Sequence, residues 1–277
     1  MTIEMINSLS DTNSAGVRWQ IEQVRLGLSS ALWFATPHED AVYLVKKLGI
    51  NPKKVYDIYA QSYLSDSDDT KGIWWTNLLV PSDAQFVINT DWTKNIMQQG
   101  RELASLRWFS DAQRIVQAVI WKDLAGKIDY KDIYRRDGKL FAKQYFSSGE
   151  LLVSDFYFGQ QAVQVQDFYF NKKRNLVYAG GESFSTAEAY LKAGLRLSSA
   201  TPINITQLDR EVDLVPPHTT LTLIAGVLDD QGQIAKKLVD ILQDDTHAID
   251  YVQVTQTDFE FLQRNQLPTK KLHIKTF

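Results

Sequence analysis

Short apolar runs punctuated by glycine dominate the middle of the chain, from about residue 116 to residue 179. In the run at 151–158, Leu151, Val153 and Tyr157 alternate with a second set of side chains, which is typical of a strand that presents two faces. Glycines between the runs supply the positive φ values that tight hairpin turns need. They are Gly126, Gly138, Gly149 and Gly159. The pattern predicts an extended antiparallel β-meander.

Helical and strand-like patterns alternate on both sides of the meander. Before it, they predict a strand at 2–8, a helix at 17–28, a buried strand at 31–35 and a helix at 40–48. After it, they predict a helix at 183–197, a strand at 203–206, a long strand at 221–228, a helix at 233–242, a strand at 250–255, a helix at 258–265 and a strand at 272–275. Such alternation is typical of a parallel sheet covered by helices.

The two patterns together predict the fold class, which is α/β with an inserted antiparallel β-sheet. We expect residues 1–60 and 181–277 to form one Rossmann-like domain, because each segment alone has too few strands for a covered sheet. Residues 61–180 then form an extended β-sheet domain that is inserted into the first domain.

Two runs of the meander each carry three consecutive aromatic residues, and these are the candidate contact residues. They are Phe156, Tyr157, Phe158, Phe168, Tyr169 and Phe170. Because neighbours in a strand point to opposite faces, the six side chains cannot all enter one core. Counting along the strands groups Tyr157 with Tyr169 and Phe156 with Phe168. We expect one group to meet a partner or an acceptor; burial of both groups in the sheet is the alternative.

Composition limits the classes of partner. The chain has 277 residues, a formal net charge of −3, no cysteine and 12% aromatic residues. The negative balance gives no reason to expect nucleic acid, and the missing cysteines exclude disulfides and thiolate metal sites. The N-terminal residues lack the basic stretch and apolar core of a signal peptide, and no apolar run reaches the roughly 20 residues of a membrane span. We therefore expect a cytoplasmic protein.

Motifs for catalysis or metal binding are weak in this sequence. The patterns HxH, HExxH and GxSxG are absent, and the four histidines fall in loops or near the ends of predicted elements. They are His38, His218, His247 and His273. The acidic loop at 65–72 lacks the glycine and the glutamate that an EF-hand loop requires. We expect no metal, no cofactor and only surface or structural roles for the histidines.

Two features lie where open α/β sheets carry functional residues. Gly16 follows the first predicted strand, at the place of a phosphate-binding loop, although one glycine is weak evidence. Asp209, Arg210 and Glu211 follow the strand at 203–206, and they represent either a local ion pair or a functional site. We assign no catalytic residue from either feature.

One segment of the meander carries a resemblance to a known family. Residues 121–149, WKDLAGKIDYKDIYRRDGKLFAKQYFSSG, resemble the β-sheet domain inserted in the protein glycosyltransferases of bacterial accessory Sec systems. Weaker similarity covers NLLVPSDAQF at 77–86 and LIAGVLDDQG at 223–232. The sequence SAGVRWQIEQVRLGL at 14–28 is closer to the opening loop and helix of the catalytic subunit.

The resemblance implies an architecture and a set of partners. In this family a catalytic subunit and a non-catalytic, stabilising GtfB-type subunit each have two Rossmann-like halves in a GT-B arrangement, and the first half carries the inserted sheet. Together they attach N-acetylglucosamine to serine and threonine of serine-rich adhesins. The implied partners are a catalytic glycosyltransferase subunit and a serine-rich protein acceptor, in a hetero- or homo-oligomer. Peripheral association with the inner face of the cell membrane is a further implication.

Departures from the family pattern favour the non-catalytic subunit. Catalytic members carry a histidine just after the strand that here reads LTLIAGVLDD, and this chain has none there. Their sugar-nucleotide site lies in the second half, which would begin near Phe277. We expect no turnover of UDP-N-acetylglucosamine by this chain alone. The alternatives are the N-terminal, acceptor-side half of an active glycosyltransferase, for protein or teichoic acid, and a protein-interaction module.

Overall fold

The computed structural model describes residues 2–65, 72–196 and 201–276. By internal contacts the chain divides into two units. One unit consists of Met1–Ser65 together with Tyr190–Phe277, and the other of Asp66–Ala189. The first unit is therefore built from both ends of the chain, and the second from its middle.

The N-terminal part alternates strands and helices. Its elements are β1 (Thr2–Ile6), α1 (Ala15–Arg25), β2 (Ser29–Phe34), α2 (Ala41–Lys47), β3 (Val55–Asp57) and β4 (Ser62–Tyr63). An apolar cluster joins both helices to the first three strands. In α1 the cluster includes Val17, Ile21 and Val24, whose spacing of three and four residues places them on one side of the helix. This burial explains why the segment is helical.

The middle of the chain is one ten-stranded sheet. Its strands are β5 (Gln85–Ile88), β6 (Lys94–Gln98), β7 (Arg101–Phe109), β8 (Ala112–Lys122), β9 (Ile128–Tyr134), β10 (Leu140–Ser147), β11 (Glu150–Phe156), β12 (Val165–Phe170), β13 (Lys173–Ala179) and β14 (Glu182–Phe184). They follow one another in sequence order, and every neighbouring pair is antiparallel. The predicted meander is confirmed.

Hairpin glycines are placed as the sequence predicts. Gly126, Gly138, Gly149 and Gly159 have φ values of 78°, 81°, 84° and 85°. Residues other than glycine rarely adopt positive φ values without backbone strain. The four turns therefore fix the hairpins, and with them the register between β8 and β12.

The C-terminal part returns to alternating helices and strands. Its elements are α3 (Ala187–Arg196), β15 (Ile203–Ile205), α4 (Glu211–Leu214), β16 (Thr219–Thr222), α5 (Lys236–Gln243), β17 (Ile249–Val254), α6 (Gln256–Arg264) and β18 (Leu272–Ile274). Two predictions here were wrong in their bounds by four residues or more, and the helix predicted from residue 233 begins three residues later, at Lys236. The long strand at 221–228 ends at Thr222, and residues after it fold back through a turn closed by a Leu228–Ile234 bridge. The helix predicted from residue 183 begins at Ala187, after β14.

Both ends of the chain meet in one eight-stranded sheet. The strand order is β18-β17-β16-β15-β1-β2-β3-β4, and all pairs are parallel except β3 with β4. Strands are added in chain order from β1 through β2 and β3 to β4 on one side, and from β15 to β18 on the other side. The order of strand addition therefore reverses between β1 and β15, which are themselves parallel. The fold class α/β with an inserted antiparallel sheet is confirmed.

Candidate functional site

A row of large side chains crosses six strands of the antiparallel sheet. The register pairs Trp121 with Tyr130, Tyr130 with Tyr145, Tyr145 with Val153, Val153 with Phe168 and Phe168 with Leu176. Directly paired residues project from the same side of a sheet. We call these six residues, from β8 to β13, the aromatic row. At a strand spacing of about 4.8 Å, the row is about 24 Å long.

The aromatic side chains at one end of the row are held in fixed contacts. The Trp121 and Tyr130 rings stack at 5.7 Å with an angle of 24° between their planes. Trp121 Nε1 donates a hydrogen bond of 3.0 Å to Asp132 Oδ2. Lys143 Nζ lies 4.4 Å from the centre of the Tyr130 ring and 5.9 Å from that of Tyr145. These contacts orient the ring faces before any ligand binds.

A polar row runs beside the aromatic row on the same face. It consists of Asp132, Lys143, Asp155 and Gln166, which are paired in that order across β9 to β12. Lys143 Nζ lies 3.4 Å from Asp132 Oδ1, and Gln166 Nε2 donates to Asp155 Oδ1 at 2.9 Å. The pKa of Lys143 is raised: partial burial lowers it, and the nearby Asp132 carboxylate outweighs that effect. The two rows together offer flat rings beside hydrogen-bonding groups.

The face that carries the two rows is partly open. Tyr145 keeps 38% of its surface exposed, Leu176 is similarly exposed, and Tyr178 at the end of the polar row is exposed as well. On the other face of the same strands, Phe156, Val165 and Val177 are buried. Exposed aromatic rings in a fixed arrangement are the usual anchors of a binding surface. The open face is therefore the candidate functional site.

The predicted grouping of the candidate aromatic residues was wrong. The register pairs Val153 with Phe168 and Phe156 with Val165. Alternation from these pairs places Tyr157 and Phe168 on the open face, and Phe156 and Tyr169 on the other. The prediction assumed that equivalent positions of the two aromatic triplets lie on the same face. The loop between β11 and β12 shifts the alternation by one residue, so this assumption was wrong.

The six predicted residues have different surroundings. Phe168 belongs to the aromatic row. Phe156 and Phe158 stack at 5.4 Å, and both meet Phe141 edge-on. The Tyr169 hydroxyl accepts hydrogen bonds from the Arg174 guanidinium at 3.1 and 3.3 Å. Phe170 ends its strand and is 70% exposed. The structure brings Phe156 and Phe158 together, and it does not gather all six residues into one surface.

Nine of the ten residues in the two rows were absent from the predicted site, which shares only Phe168 with them. Trp121 and Tyr130 have no aromatic neighbour in sequence and Tyr145 has only Phe146, so no local motif marks them. The signal that identifies them is their distance from the hairpin glycines, since the turns fix which residues face each other. Small irregularities in register, such as those between Leu140 and Ala142, make this count unsafe without the structure.

Gly16 has a packing role in the structure. A Cβ atom at this position would lie 2.5 Å from Thr206 Oγ1 and 2.7 Å from Thr206 Cβ. The glycine therefore lets α1 approach the residue that follows β15, and Thr206 occupies the adjoining space. Thr206 Oγ1 donates to Gln20 Oε1 at 2.8 Å in the same contact. The hypothesis of a phosphate-binding loop gains no support from this arrangement.

Glu211 is the buried member of the Asp209–Arg210–Glu211 motif. It is 1% exposed, and its Oε1 accepts a hydrogen bond of 2.9 Å from the backbone N–H of Asn7. Burial raises the pKa of its carboxyl group. Glu211 thereby ties the loop after β1 to the start of α4. This contact supports a structural role for the motif.

The histidines make local contacts. His38 Nδ1 and His247 Nδ1 accept hydrogen bonds from the backbone two residues further on, and burial lowers the pKa of His247. His218 Nδ1 lies 2.6 Å from Asp250 Oδ2, and the His273 ring packs against Tyr251. Within the described ranges, no group of three His, Cys, Asp or Glu residues is arranged to hold a metal. The acidic residues at 66–69 lie outside those ranges.

None of the helices in the described part of the chain combines the length and the apolar composition that crossing a membrane requires.

Comparison with known proteins identifies the antiparallel sheet. Residues 86–184 match the family model of the GtfB middle domain. No curated protein matches the chain in sequence. The matched range begins in β5 and ends with β14, so it spans the ten strands and contains the aromatic row.

Several solved structures share the fold at low sequence identity. The GtfA/B complex has a TM-score of 0.75 and 12% identity, over 98% of this chain and 59% of that chain. The pneumococcal O-GlcNAc transferase GtfA in complex with UDP and GlcNAc has a TM-score of 0.75 and 13% identity, over 100% and 60%. Accessory secretory protein 1, 2 and 3 in Streptococcus pneumoniae has a TM-score of 0.73 and 10% identity, over 99% and 61%.

These matches confirm the predicted resemblance to the GtfB type of accessory Sec glycosyltransferase-related protein. The family model carries the assignment over residues 86–184. The structural likeness extends a glycosyltransferase-like fold to nearly the whole chain. The chain spans about 60% of the length of the structures it matches.

Proposed function

We propose that this chain is a non-catalytic, GtfB-type subunit of a bacterial protein O-glycosyltransferase, and that it stabilises the catalytic subunit and binds the serine-rich acceptor. One observation carries the proposal. The part of the chain that matches the GtfB middle domain presents the aromatic row on a partly open face. A surface of this kind, with rings already held in place, suits a partner that itself lacks large side chains.

The geometry of the open face suits an extended peptide. At about 3.3 Å per residue, a 24 Å row accommodates roughly seven residues of an extended chain. Serine-rich segments expose backbone and small side chains, which pack closely against flat rings. Their hydroxyl and amide groups need hydrogen-bonding partners, and the polar row supplies both donors and acceptors beside the rings. Recognition of this type tolerates sequence variation, as repetitive acceptors require.

We also propose that the α/β unit is the Rossmann-like first half of a GT-B arrangement. Its sheet is parallel from β18 to β3, and the strand order reverses beside β1. Helices connect most of its parallel strands, as in doubly wound folds. TM-scores of 0.75 to the GtfA/B complex and to GtfA support the same arrangement.

The proposal assigns catalysis to another chain. In the resemblance, catalytic members carry a histidine just after the segment that here reads LTLIAGVLDD, and this chain has none there. A second candidate, the acceptor-side half of an active enzyme, is favoured by the likeness to the O-GlcNAc transferase GtfA. Release of UDP from UDP-N-acetylglucosamine distinguishes the two. We expect none from the purified chain, and a rate proportional to its concentration would establish the second candidate.

Binding by variants of the aromatic row tests the proposal. We expect Tyr145→Ala and Phe168→Ala each to weaken binding of a serine-rich peptide, or of the catalytic subunit, by about tenfold or more, because ring contacts at an interface contribute about 2 kcal/mol. Leu124→Ala is the matched control, since Leu124 is exposed in the β8–β9 turn outside the row. Calorimetry and thermal unfolding on the same samples separate lost binding from lost folding. Unchanged affinity for both partners in both row variants would contradict the proposal.

A further inference from the structure

A cleft lies at the other end of the antiparallel sheet, between the β5–β6 turn and the β7–β8 turn. Its volume is about 580 Å³, within the range of small-molecule sites. Its lining includes Trp92, Trp108, Asp91 and Lys94, and Phe109 beside them is a buried residue. None of these residues belongs to the aromatic row or to the polar row. The cleft is therefore a separate site.

Trp92 is held in an unfavourable backbone conformation at the mouth of this cleft. Its φ is +64°, a region that glycine and asparagine adopt readily and bulky residues avoid. The turn is fixed by hydrogen bonds from Trp92 N to Asn89 O, and from the Thr93 N–H and hydroxyl to Asp91 Oδ1. Burial does not compensate for this conformation, because 77% of the residue is exposed. The indole therefore gains little from burial, and its position favours a role in contact with a ligand.

Charges in the cleft narrow the class of ligand. Lys94 Nζ lies 4.1 Å from the centre of the Trp108 ring, so a cation already occupies one face of that indole. Lys94 and Asp91 bring opposite charges to the same cleft, so its lining has no net charge and favours neither a cation nor an anion. A ligand that suits this lining is neutral, has an apolar face for the rings, and carries hydroxyl groups that donate and accept hydrogen bonds.

We propose that this cleft binds a pyranose ring of a carbohydrate. One face of a pyranose presents C–H groups, whose partial positive charge suits the negative face of an indole. Its hydroxyl groups accept from the Lys94 ammonium and donate to the Asp91 carboxylate, which line the same cleft. The site would let the sheet hold a sugar already attached to an acceptor. In this sense the inference rests on the proposed function, which supplies the glycosylated acceptor.

The test uses the full chain and a free sugar. We expect methyl N-acetylglucosaminide to show saturation transfer from the protein in ligand-observed NMR, and Trp92→Gly to weaken this binding by about tenfold or more. Glycine removes the ring and also relieves the positive φ, so the variant should unfold at the same temperature as the natural chain or higher. Trp74→Ala, which removes a partly exposed indole outside the cleft, is the matched control and should leave sugar binding unchanged.

Other outcomes overturn the inference in distinguishable ways. Absence of saturation transfer, or transfer that Trp92→Gly leaves unchanged, contradicts a sugar site in this cleft. Loss of unglycosylated serine-rich peptide binding in Trp92→Gly, without sugar binding, would identify the cleft as a peptide site and contradict the proposal. If the peptide still binds through the aromatic row while the sugar does not bind, the carbohydrate site fails and the proposed function stands.

Discussion

The polar network around Glu4 in the parallel sheet and the Asp132–Lys143 pair in the antiparallel sheet differ in how far they are enclosed. In the parallel sheet, Glu4 is 2% exposed, and its carboxylate accepts hydrogen bonds from Ser29 Oγ at 2.6 Å and Asn204 Nδ2 at 2.8 Å. In the antiparallel sheet, Asp132 and Lys143 pair on a face that stays partly open. The first arrangement encloses its hydrogen-bonding groups, and the second leaves room for a ligand beside them.

The enclosed groups connect the two ends of the chain. Thr222 Oγ1 donates to Asn204 Oδ1 at 2.6 Å, and Gln20 Nε2 donates to the backbone carbonyls of Met5 and Asn204. Side chains from β1, β2, β15 and β16 therefore share one network next to α1. Because buried polar groups are costly when unpaired, this network favours one register between segments that are far apart in sequence. We therefore expect substitutions in the enclosed network to lower the free energy of unfolding. Substitutions on the open face are expected to change binding instead.

The largest effect is expected at the enclosed carboxyl group of Asp57. Burial raises its pKa from 3.8 to about 7, although its carboxylate accepts hydrogen bonds from the backbone N–H groups of Tyr59 and Ala60. A raised pKa means that the folded state holds the proton more tightly than the unfolded chain. The resulting stability is present in full below about pH 4 and is lost as pH rises through about 7.

Asp57→Asn isolates this contribution, because the amide cannot ionise and keeps an oxygen to accept the two backbone hydrogen bonds. We expect the free energy of unfolding of the variant, relative to the natural chain, to increase by up to about 4 kcal/mol between pH 4 and pH 8. Urea unfolding at both pH values measures this difference. Buried Glu4 and Glu211 titrate in both chains, so their contribution cancels. Parallel pH profiles of the two chains would contradict the prediction.

A smaller loss is expected when the enclosed network is broken at Asn204. Asn204→Ala removes the donor to Glu4 and the acceptor of Thr222, which leaves a buried carboxyl group with one partner fewer. We expect a loss of about 3 kcal/mol in the free energy of unfolding. Asn175→Ala is the matched control in the antiparallel sheet, where the exposed amide donates to Phe170 O. Equal losses in the two variants would show that the sheets do not differ in this respect.

The fold of both sheets was largely predictable, and the site was predictable only in part. Glycines with positive φ and runs of β-forming residues identify the meander, because turns and strands depend on local sequence. The strand predicted at 221–228 failed because an apolar run does not reveal where pairing ends. The aromatic row depends on register across six strands, and each irregularity changes which side chains face each other. Contacts such as Glu4 with Asn204 join residues that no local pattern connects.

The smallest effect is expected on the open face, at the ion pair between Lys143 and Asp132. Lys143→Met keeps most of the side chain's length and removes its charge. Because both partners are partly exposed, we expect a change below about 1 kcal/mol in the free energy of unfolding, and a difference between the two chains that shrinks in 1 M salt. Urea unfolding at low and high salt measures both quantities. A loss near that expected for Asn204→Ala, and insensitive to salt, would mean that the polar row is enclosed like the network in the parallel sheet. The comparison between the sheets would then fail, because the open face would be a second closed core.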